Sequence, residues 1–346
     1  MGLTLVDTVQ EALETDRFGH PIRGFESVGS TNTRAAAWAE EGAAEGVDSR
    51  LADLRDREAV AATVADCAPE VVLHMAAQAL VLPGYEDPVG TFATNVMGTA
   101  HLLEALRGSP DLKAVVCVTS DKVYENPGTG VPLTEADPLG GRDPYSASKA
   151  ASEMAVRSWA ESFLEPAGVA VATARAGNVI GGGDTAAHRL LPDLFRALES
   201  GAPLVVRHPA ATRPWQHVLE PLSGYLALAR ALVERPAKAP RRLNFGPPPA
   251  DAWPVRRVLA HVAERLGTPA AWQTATGPTP PEAPLLSLDA RLAAETLGWR
   301  PRLKVAEALA WTADWWREHR AGADARALCL DRITRYEARA DGPETA

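Results

Sequence analysis

The stretch LKAVVCVTS, residues 112–120, decides the fold. Its apolar run shows no alternation, as in a strand buried on both faces of a parallel sheet, and it stops abruptly at Thr119 and Ser120. PEVVLHMAA (69–77) has the same character upstream, and GVAVATARAGNV (168–179) downstream. The spacing predicts helices over REAVAATVADCA (57–68), VMGTAHLLEALRG (96–108) and SASKAASEMAVRSWAESFLEP (146–166). Strands alternating with helices predict an α/β fold with a Rossmann-like, doubly wound parallel sheet. Residues 48–180 read as the sheet domain. Residues 181–320, rich in Pro and Trp with shorter elements, read as a smaller, mostly helical substrate lobe interleaved with the last strands. Residues 321–346 read as a helix with a polar, frayed tail.

The composition is that of an ordinary soluble protein: 346 residues, 46% apolar and 23% charged. A net charge of −9 argues against nucleic acid or an anionic membrane as partner. Cys67, Cys117 and Cys329 are far apart and show no CxxC spacing, so neither a disulfide frame nor a metal site is expected. The N-terminus carries Asp7, Glu11 and Glu14, unlike a signal peptide, and the longest uncharged apolar run, 71–82, is too short to cross a bilayer. A cytoplasmic location is expected. Only five of the 35 basic residues are lysine (Lys113, Lys122, Lys149, Lys238 and Lys304), so a lysine here carries information that an arginine does not.

In an open parallel sheet, ligands bind beyond the carboxyl ends of the strands. Ser120, Asp121 and Lys122 stand at such an end. Downstream, YSASK places Tyr145 and Lys149 four apart, on one helical face. An ammonium there stabilises the phenolate and makes the tyrosine a usable base. Alone, the pair reads more simply as a half-buried Tyr beside a solvated Lys, since chance produces such a spacing readily. The strand-end serine at this distance favours chemistry.

VTSDKVYEN, DPYSASKAASE, ARAGNVIGGGD and ATRPWQHVLEPLSGYL resemble the extended short-chain dehydrogenase/reductase family and, more narrowly, its branch of CDP-glucose 4,6-dehydratases. The likeness runs from about residue 48 to 317, and the Ser-Asp-Lys triplet is its narrow signal. It implies NAD as cofactor and CDP-glucose, a nucleotide sugar, as substrate. Tyr145 would take the proton of the sugar 4-hydroxyl, Lys149 would hold the phenolate, and Ser120 would donate to the developing ketone. Lys122 would act as base at C5 and Asp121 as acid for the leaving 6-hydroxyl, although a plain strand-end ion pair is the alternative for these two. Asp53 matches the position that contacts adenine, with Leu54 beside it. Ala76, Ala77 and Gln78 match the segment lining the cofactor, joined by Thr119, Tyr145, Lys149 and Ala176. Asn178, Arg189 and Arg213 match positions on the nucleotide diphosphate, with a turn cap the alternative for Asn178 and a surface salt bridge for Arg213, and His217 is added to the substrate set. Asn95 reads as fixing the following helix, and Glu220 as a helix-start carboxylate. The resemblance also implies a homodimer through helices 96–108 and 146–163. Leu82, Pro83 and Gly84 depart from the Arg-Arg-Ser common in relatives, and Thr185 and His188 from an expected Trp and Asp. A related epimerase is a weaker reading of the same residues.

The family begins with a strand, a Gly-rich turn and a helix that cradle the pyrophosphate. That βαβ unit is missing: neither GxxGxxG nor GxGxxG occurs in the chain. Gly177, Gly181 and Gly183 imitate the spacing but follow the Tyr-Lys helix, where the resemblance places the nicotinamide and substrate loop. Residues 14–46 instead resemble the start of a biotin–protein ligase catalytic domain, whose Ser-Thr-Asn would be Ser30, Thr31 and Asn32. The ligase pattern stops near Gly46, and Ser30 reads more simply as a helix N-cap. Loss of the first strand would leave two apolar neighbours unpaired, and IRGFESV (22–28) is the candidate to fill its slot. An inactive chimera is therefore the alternative to an enzyme.

Overall fold

The computed structural model describes residues 22–26, 47–269, 271–277 and 285–339; Ser30, Thr31 and Asn32 lie outside them. The chain divides into two units. The first holds the described residues up to Glu125, with Asp137–Arg175 and Tyr225–Leu243. The second holds Asn126–Ala136, Ala176–Gly224 and the described residues from Asn244 onward.

The apolar runs form the expected strands in the first unit. β1 (Ile22–Glu26) and β2 (Val47–Leu51) make a two-stranded parallel sheet, Ile22 opposite Val47. The candidate stretch at 22–28 thus supplies a strand through Glu26. β3 (Val71–His74), β4 (Ala114–Val118), β5 (Ala170–Ala176) and β6 (Arg242–Phe245) form a separate sheet in the order β6-β5-β4-β3. β3–β4 and β4–β5 are parallel. Among the described residues β3 is an edge, with no strand on the side where the family's first strand is expected.

Three helices cover one face of this sheet. α1 (Arg57–Cys67) is capped by Asp56, whose carboxylate accepts from the N–H groups of Glu58 and Ala59. α2 (Gly98–Ala105) and α3 (Pro144–Trp159) complete the layer. Val60 and Val64 of α1, Leu102 and Leu103 of α2, and Val156 of α3 pack on Val115 and Cys117 of β4 and Val171 of β5. Burying each such aliphatic side chain contributes about 1.5–3 kcal/mol.

The helix expected over 96–108 differs in its bounds. The helical path starts at Pro88, capped by Asp87, passes through a π-turn at Ala93–Met97 and ends at Ala105. The helix expected over 146–166 starts at Pro144 and passes into a π-turn at Ala160–Leu164. Pro at the first helical position after an Asp cap explains both early starts, since its missing N–H has no helical partner to lose.

The second unit is built on a core of Leu191, Leu194, Phe195, Trp215, Val258, Leu259 and Leu309 from several helices and short strands. Trp215 Nε1 donates to the Trp253 carbonyl at 3.0 Å. Gly182 lies under the Trp315 indole, where an added Cβ would come within 2.1 Å of the ring. Buried Glu220 is a hub as well as a first-turn acid. Its carboxylate accepts from the backbone N–H groups of Arg302 and Leu303 and from the Tyr336 hydroxyl at 2.7 Å. This holds the C-terminal helix, Ala325–Glu337.

Candidate active site

β4 delivers Thr119 and Ser120 to its carboxyl end, and Ser120 then caps a short 3-10 turn, Asp121–Val123. The Lys122 N–H donates to Ser120 Oγ at 3.2 Å, and Ser120 Oγ donates to Asp121 Oδ1 at 3.1 Å. Ser120 and Asp121 are buried, and Lys122 is half-buried. The start of α3 is fixed by Asp143, which accepts from the Ser146 N–H at 3.0 Å and the Ser146 hydroxyl at 2.5 Å. Gly141 permits this approach, because a Cβ there would stand 2.2 Å from the Ser146 carbonyl carbon.

Tyr145 and Lys149 are both buried on α3. Lys149 Nζ donates to the Val118 carbonyl at 2.9 Å, bridging helix and strand. Burial lowers the Lys149 ammonium to about 8, against opposing contributions from Cys117 and Glu153. Burial pushes the Cys117 thiol up to about 12, so it is a packed strand thiol. His74 is lowered to about 3 by burial first and the Lys149 charge second, and its Nε2 lies 3.0 Å from Thr99 Oγ1.

The loop after β3 carries Ala76, Ala77 and Gln78, all half-buried. Asn95, inside the π-turn, grips it: Oδ1 accepts from the Gln78 N–H at 2.8 Å, and Nδ2 donates to the Gln78 carbonyl at 3.0 Å. Asn95 Nδ2 also donates to Ser148 Oγ at 2.8 Å, and that hydroxyl donates to the Tyr145 carbonyl at 2.7 Å. The Gln78 side chain is occupied by Leu80 and Thr91. Gly84, in the stretch that departs from relatives, packs against Tyr145; a Cβ there would sit 3.3 Å from its nitrogen. Thr119 Oγ1 is turned to Glu153 at 2.6 Å. Asp53 is held by Arg55, whose hydrogen bonds lower its carboxyl below the usual range. The Leu54 side chain belongs to the core, and its carbonyl lies 3.0 Å from His101 Nδ1.

The remaining expected residues belong to the second unit. Ala176 ends β5. Asn178 follows in a left-handed conformation at φ 42°, and its carbonyl accepts from the Gln216 N–H at 3.3 Å. Arg189 is paired with Asp184 at 3.0 Å. Arg213 is buried and donates from Nη1 to the Thr212 carbonyl at 3.0 Å. His217 is lowered to about 4 by burial and by Arg332, so its imidazole is neutral. It packs edge-on to Trp311, with ring centroids 5.7 Å apart.

Several groups escaped the sequence reading. Glu153 had a weak signal, one helical turn past Lys149. Arg175 and Tyr124 had none, since their pairing needs the folded sheet. Tyr225 comes back to the first unit with Tyr225–Leu243. Its hydroxyl is pushed well above the usual range, by burial first and then by Tyr145 and Asp121. Among the described residues no group of three or more His, Cys, Asp or Glu could hold a metal ion. No helix among them is long and apolar enough to cross a membrane.

A buried phenol and ammonium on α3, with the ammonium held to the strand that leads to Ser120, match the arrangement expected from the sequence of a dinucleotide-dependent α/β enzyme. The chain belongs to the NAD dependent epimerase/dehydratase family, which it matches over residues 20–246. It is 43% identical over 283 residues to the CDP-glucose 4,6-dehydratase of Salmonella typhimurium, covering 80% of this chain and 79% of that protein. It is 28% identical over 289 residues to the dTDP-glucose 4,6-dehydratase of Xanthomonas campestris, covering 76% and 77%. Its fold is that of the dTDP-glucose 4,6-dehydratase of Streptomyces venezuelae, solved with NAD and TYD bound: TM-score 0.77 at 23% identity, over 94% of this chain and 97% of that one.

The first unit fits the nicotinamide–ribose end of a dinucleotide. An ammonium has three N–H donors, and Lys149 spends one on Val118. The pyrophosphate end lacks its glycine-rich turn in the sequence.

Proposed function

We propose that this protein is a CDP-glucose 4,6-dehydratase using NAD, which converts CDP-D-glucose to CDP-4-dehydro-6-deoxy-D-glucose and water. One observation carries the reading: Asp121 and Lys122 follow Ser120 on one turn at the strand end that Lys149 grips. A 4-epimerase needs only the Tyr–Lys pair and a hydrogen-bond donor at C4. Removing water across C5 and C6 needs a further base and acid, and this turn supplies both types. The 43% identity to the Salmonella enzyme supports the same choice.

NAD, when bound, supplies the hydride acceptor at C4 and returns that hydride at C6. The chain moves the protons. Tyr145 Oη takes the 4-hydroxyl proton, with Lys149 favouring the phenolate. Ser120 Oγ donates to the forming ketone oxygen, which acidifies C5–H. Lys122 Nζ takes the C5 proton, Asp121 in its acid form delivers a proton to the departing 6-hydroxyl, and Lys122 returns a solvent-exchanged proton to C5 as C6 receives the hydride. Asn178, Arg189 and Arg213 are the proposed diphosphate contacts, Arg189 by exchanging Asp184 for phosphate. The test is incubation with CDP-glucose in deuterated water, read by mass spectrometry and NMR. Loss of one water with deuterium at C5 is expected; a CDP-hexose of unchanged mass would instead identify an epimerase.

The absent glycine turn favours a second reading, a chain that does not retain the dinucleotide. Heat release of any bound NAD from the purified protein separates the two: stoichiometric NAD supports the enzyme, and none supports the inactive chimera.

Two further points belong to this reading. The protein is a homodimer through the helical faces 96–108 and 146–163, supported by the exposed side chains of Met97, Met154 and Phe163. A Met154→Glu variant that sediments like the wild type would contradict it. The compartment is the cytoplasm, supported by three cysteines with no disulfide between them.

A further inference from the structure

Glu153 is a buried carboxylate that the steps above do not use. It lies on α3, one turn beyond Lys149 and two beyond Tyr145. Oε1 accepts from Thr119 Oγ1 at 2.6 Å and Arg175 Nε at 2.8 Å. Oε2 accepts from Thr173 Oγ1 and Arg175 Nη2, both at 2.8 Å. Arg175 is 2% exposed, and its Nη1 donates to the Tyr124 hydroxyl at 2.7 Å. Thr119 precedes Ser120, Tyr124 follows the Asp121–Val123 turn, and Thr173 and Arg175 belong to β5. One carboxylate therefore ties the Tyr–Lys helix to both ends of the Ser-Asp-Lys turn. Packing alone does not call for this, since buried ion pairs are replaced by apolar side chains at little or no cost.

We propose that Glu153 and Arg175 are positioning residues for the active site: the pair fixes the register of α3 against the ends of β4 and β5, and Glu153 is the counter-charge that keeps Lys149 an ammonium. This rests on the reading of Tyr145 and Lys149 as the acid–base pair. Lys149 is faced by His74 from β3, by Cys117 from β4, and by Tyr145 and Glu153 on its own helix. His74, lowered to about 3, and Cys117, raised to about 12, are uncharged near neutrality. Burial works to raise Glu153, but the hydrogen bonds and charge of Arg175 outweigh it and hold the carboxyl below its usual range. Glu153 is thus the anion of this set.

The test uses the whole protein labelled with 13C at lysine Cε. Five lysines give five signals; that of Lys149 is assigned by its loss in Lys149→Met, and its midpoint is expected near 8. In Glu153→Gln its midpoint moves down by about one pH unit, as expected for losing an opposite charge one helical turn away. The alkaline limb of kcat for CDP-glucose moves with it, and kcat at pH 7 falls by more than the roughly twofold that the loss of charge alone would give, while KM stays within about twofold. Glu153→Gln leaves a buried arginine without its partner. Where that variant does not fold, the double variant E153Q/R175M has no lone buried charge; it removes both charges of the pair, so its readout is the fall in kcat at unchanged KM, not the Lys149 midpoint. An unmoved Lys149 midpoint, or a loss confined to KM, overturns the proposal. The midpoint is read without turnover, so a wild type inactive on CDP-glucose would overturn the functional reading and leave this test standing.

Discussion

Lys149 Nζ donates to the Val118 carbonyl at 2.9 Å, so the helix carrying Tyr145 is held against the strand that ends in Ser120. The same ammonium is lowered to about 8 by burial, which places its loss of charge just above neutral pH. Tyr145→Phe removes the proposed base and lowers kcat by roughly a hundred- to ten-thousand-fold. Lys149→Met lowers it to a similar extent and abolishes the alkaline limb. In the wild type kcat falls as pH rises through about 8, because the charged form exists below that value. A wild-type profile flat up to pH 10 would contradict this assignment.

Lys122 and Ser120 are joined through the Lys122 N–H, at 3.2 Å from Ser120 Oγ. The backbone makes that contact, so Lys122→Ala leaves the turn intact and removes only the ammonium. Dehydrated product is expected to disappear, and substrate recovered from deuterated water is expected to retain its C5 proton. Normal turnover by Lys122→Ala would reduce Asp121 and Lys122 to the strand-end ion pair considered from the sequence.

Much of the first unit was legible because its elements announce themselves locally. The apolar runs at 71–74 and 114–118 became strands, and the Tyr145–Lys149 spacing became one buried face of α3. What escaped depends on distant partners. Arg175 finds Glu153 only when β5 lies beside β4 and α3 covers them. The π-turn at Ala93–Met97 has no periodicity to betray it. The return of Tyr225–Leu243 to the first unit is a property of topology. The 22–26 strand lies in the stretch that offered itself as a candidate, while its partner, Val47–Leu51, carries Asp48 and Arg50 and has no apolar run to advertise a strand.

Asn95 joins the loop after β3 to the start of α3 by three side-chain hydrogen bonds, to the Gln78 N–H and carbonyl and to Ser148. Asn95→Ala strands a backbone donor and acceptor in a part-buried place. The expected cost is about 1–3 kcal/mol of stability, measured by denaturant unfolding. Because Ser148 leads to the Tyr145 carbonyl, kcat is expected to fall as well. Unchanged stability in Asn95→Ala would show that water replaces the amide without penalty.

Acid should destabilise each unit through one buried imidazole. His74 of the first unit is lowered to about 3 and His217 of the second to about 4, burial being the leading cause in both. In the unfolded chain both titrate near their ordinary value of 6.5. Below that value the unfolded state binds the extra proton, so the stability from each neutral histidine is fully present above it. That stability is lost as pH falls toward the folded value, at about 1.4 kcal/mol per pH unit for each group. Paired carboxylates such as Glu153 also lose their charge on the way down, so the histidine share is read by difference. His74→Gln keeps a polar atom for Thr99 but cannot titrate. Its unfolding free energy is expected to fall less steeply between pH 6.5 and 4.5, by roughly 2–3 kcal/mol over the interval. Parallel slopes for the wild type and His74→Gln would mean that His74 is protonated in the folded chain.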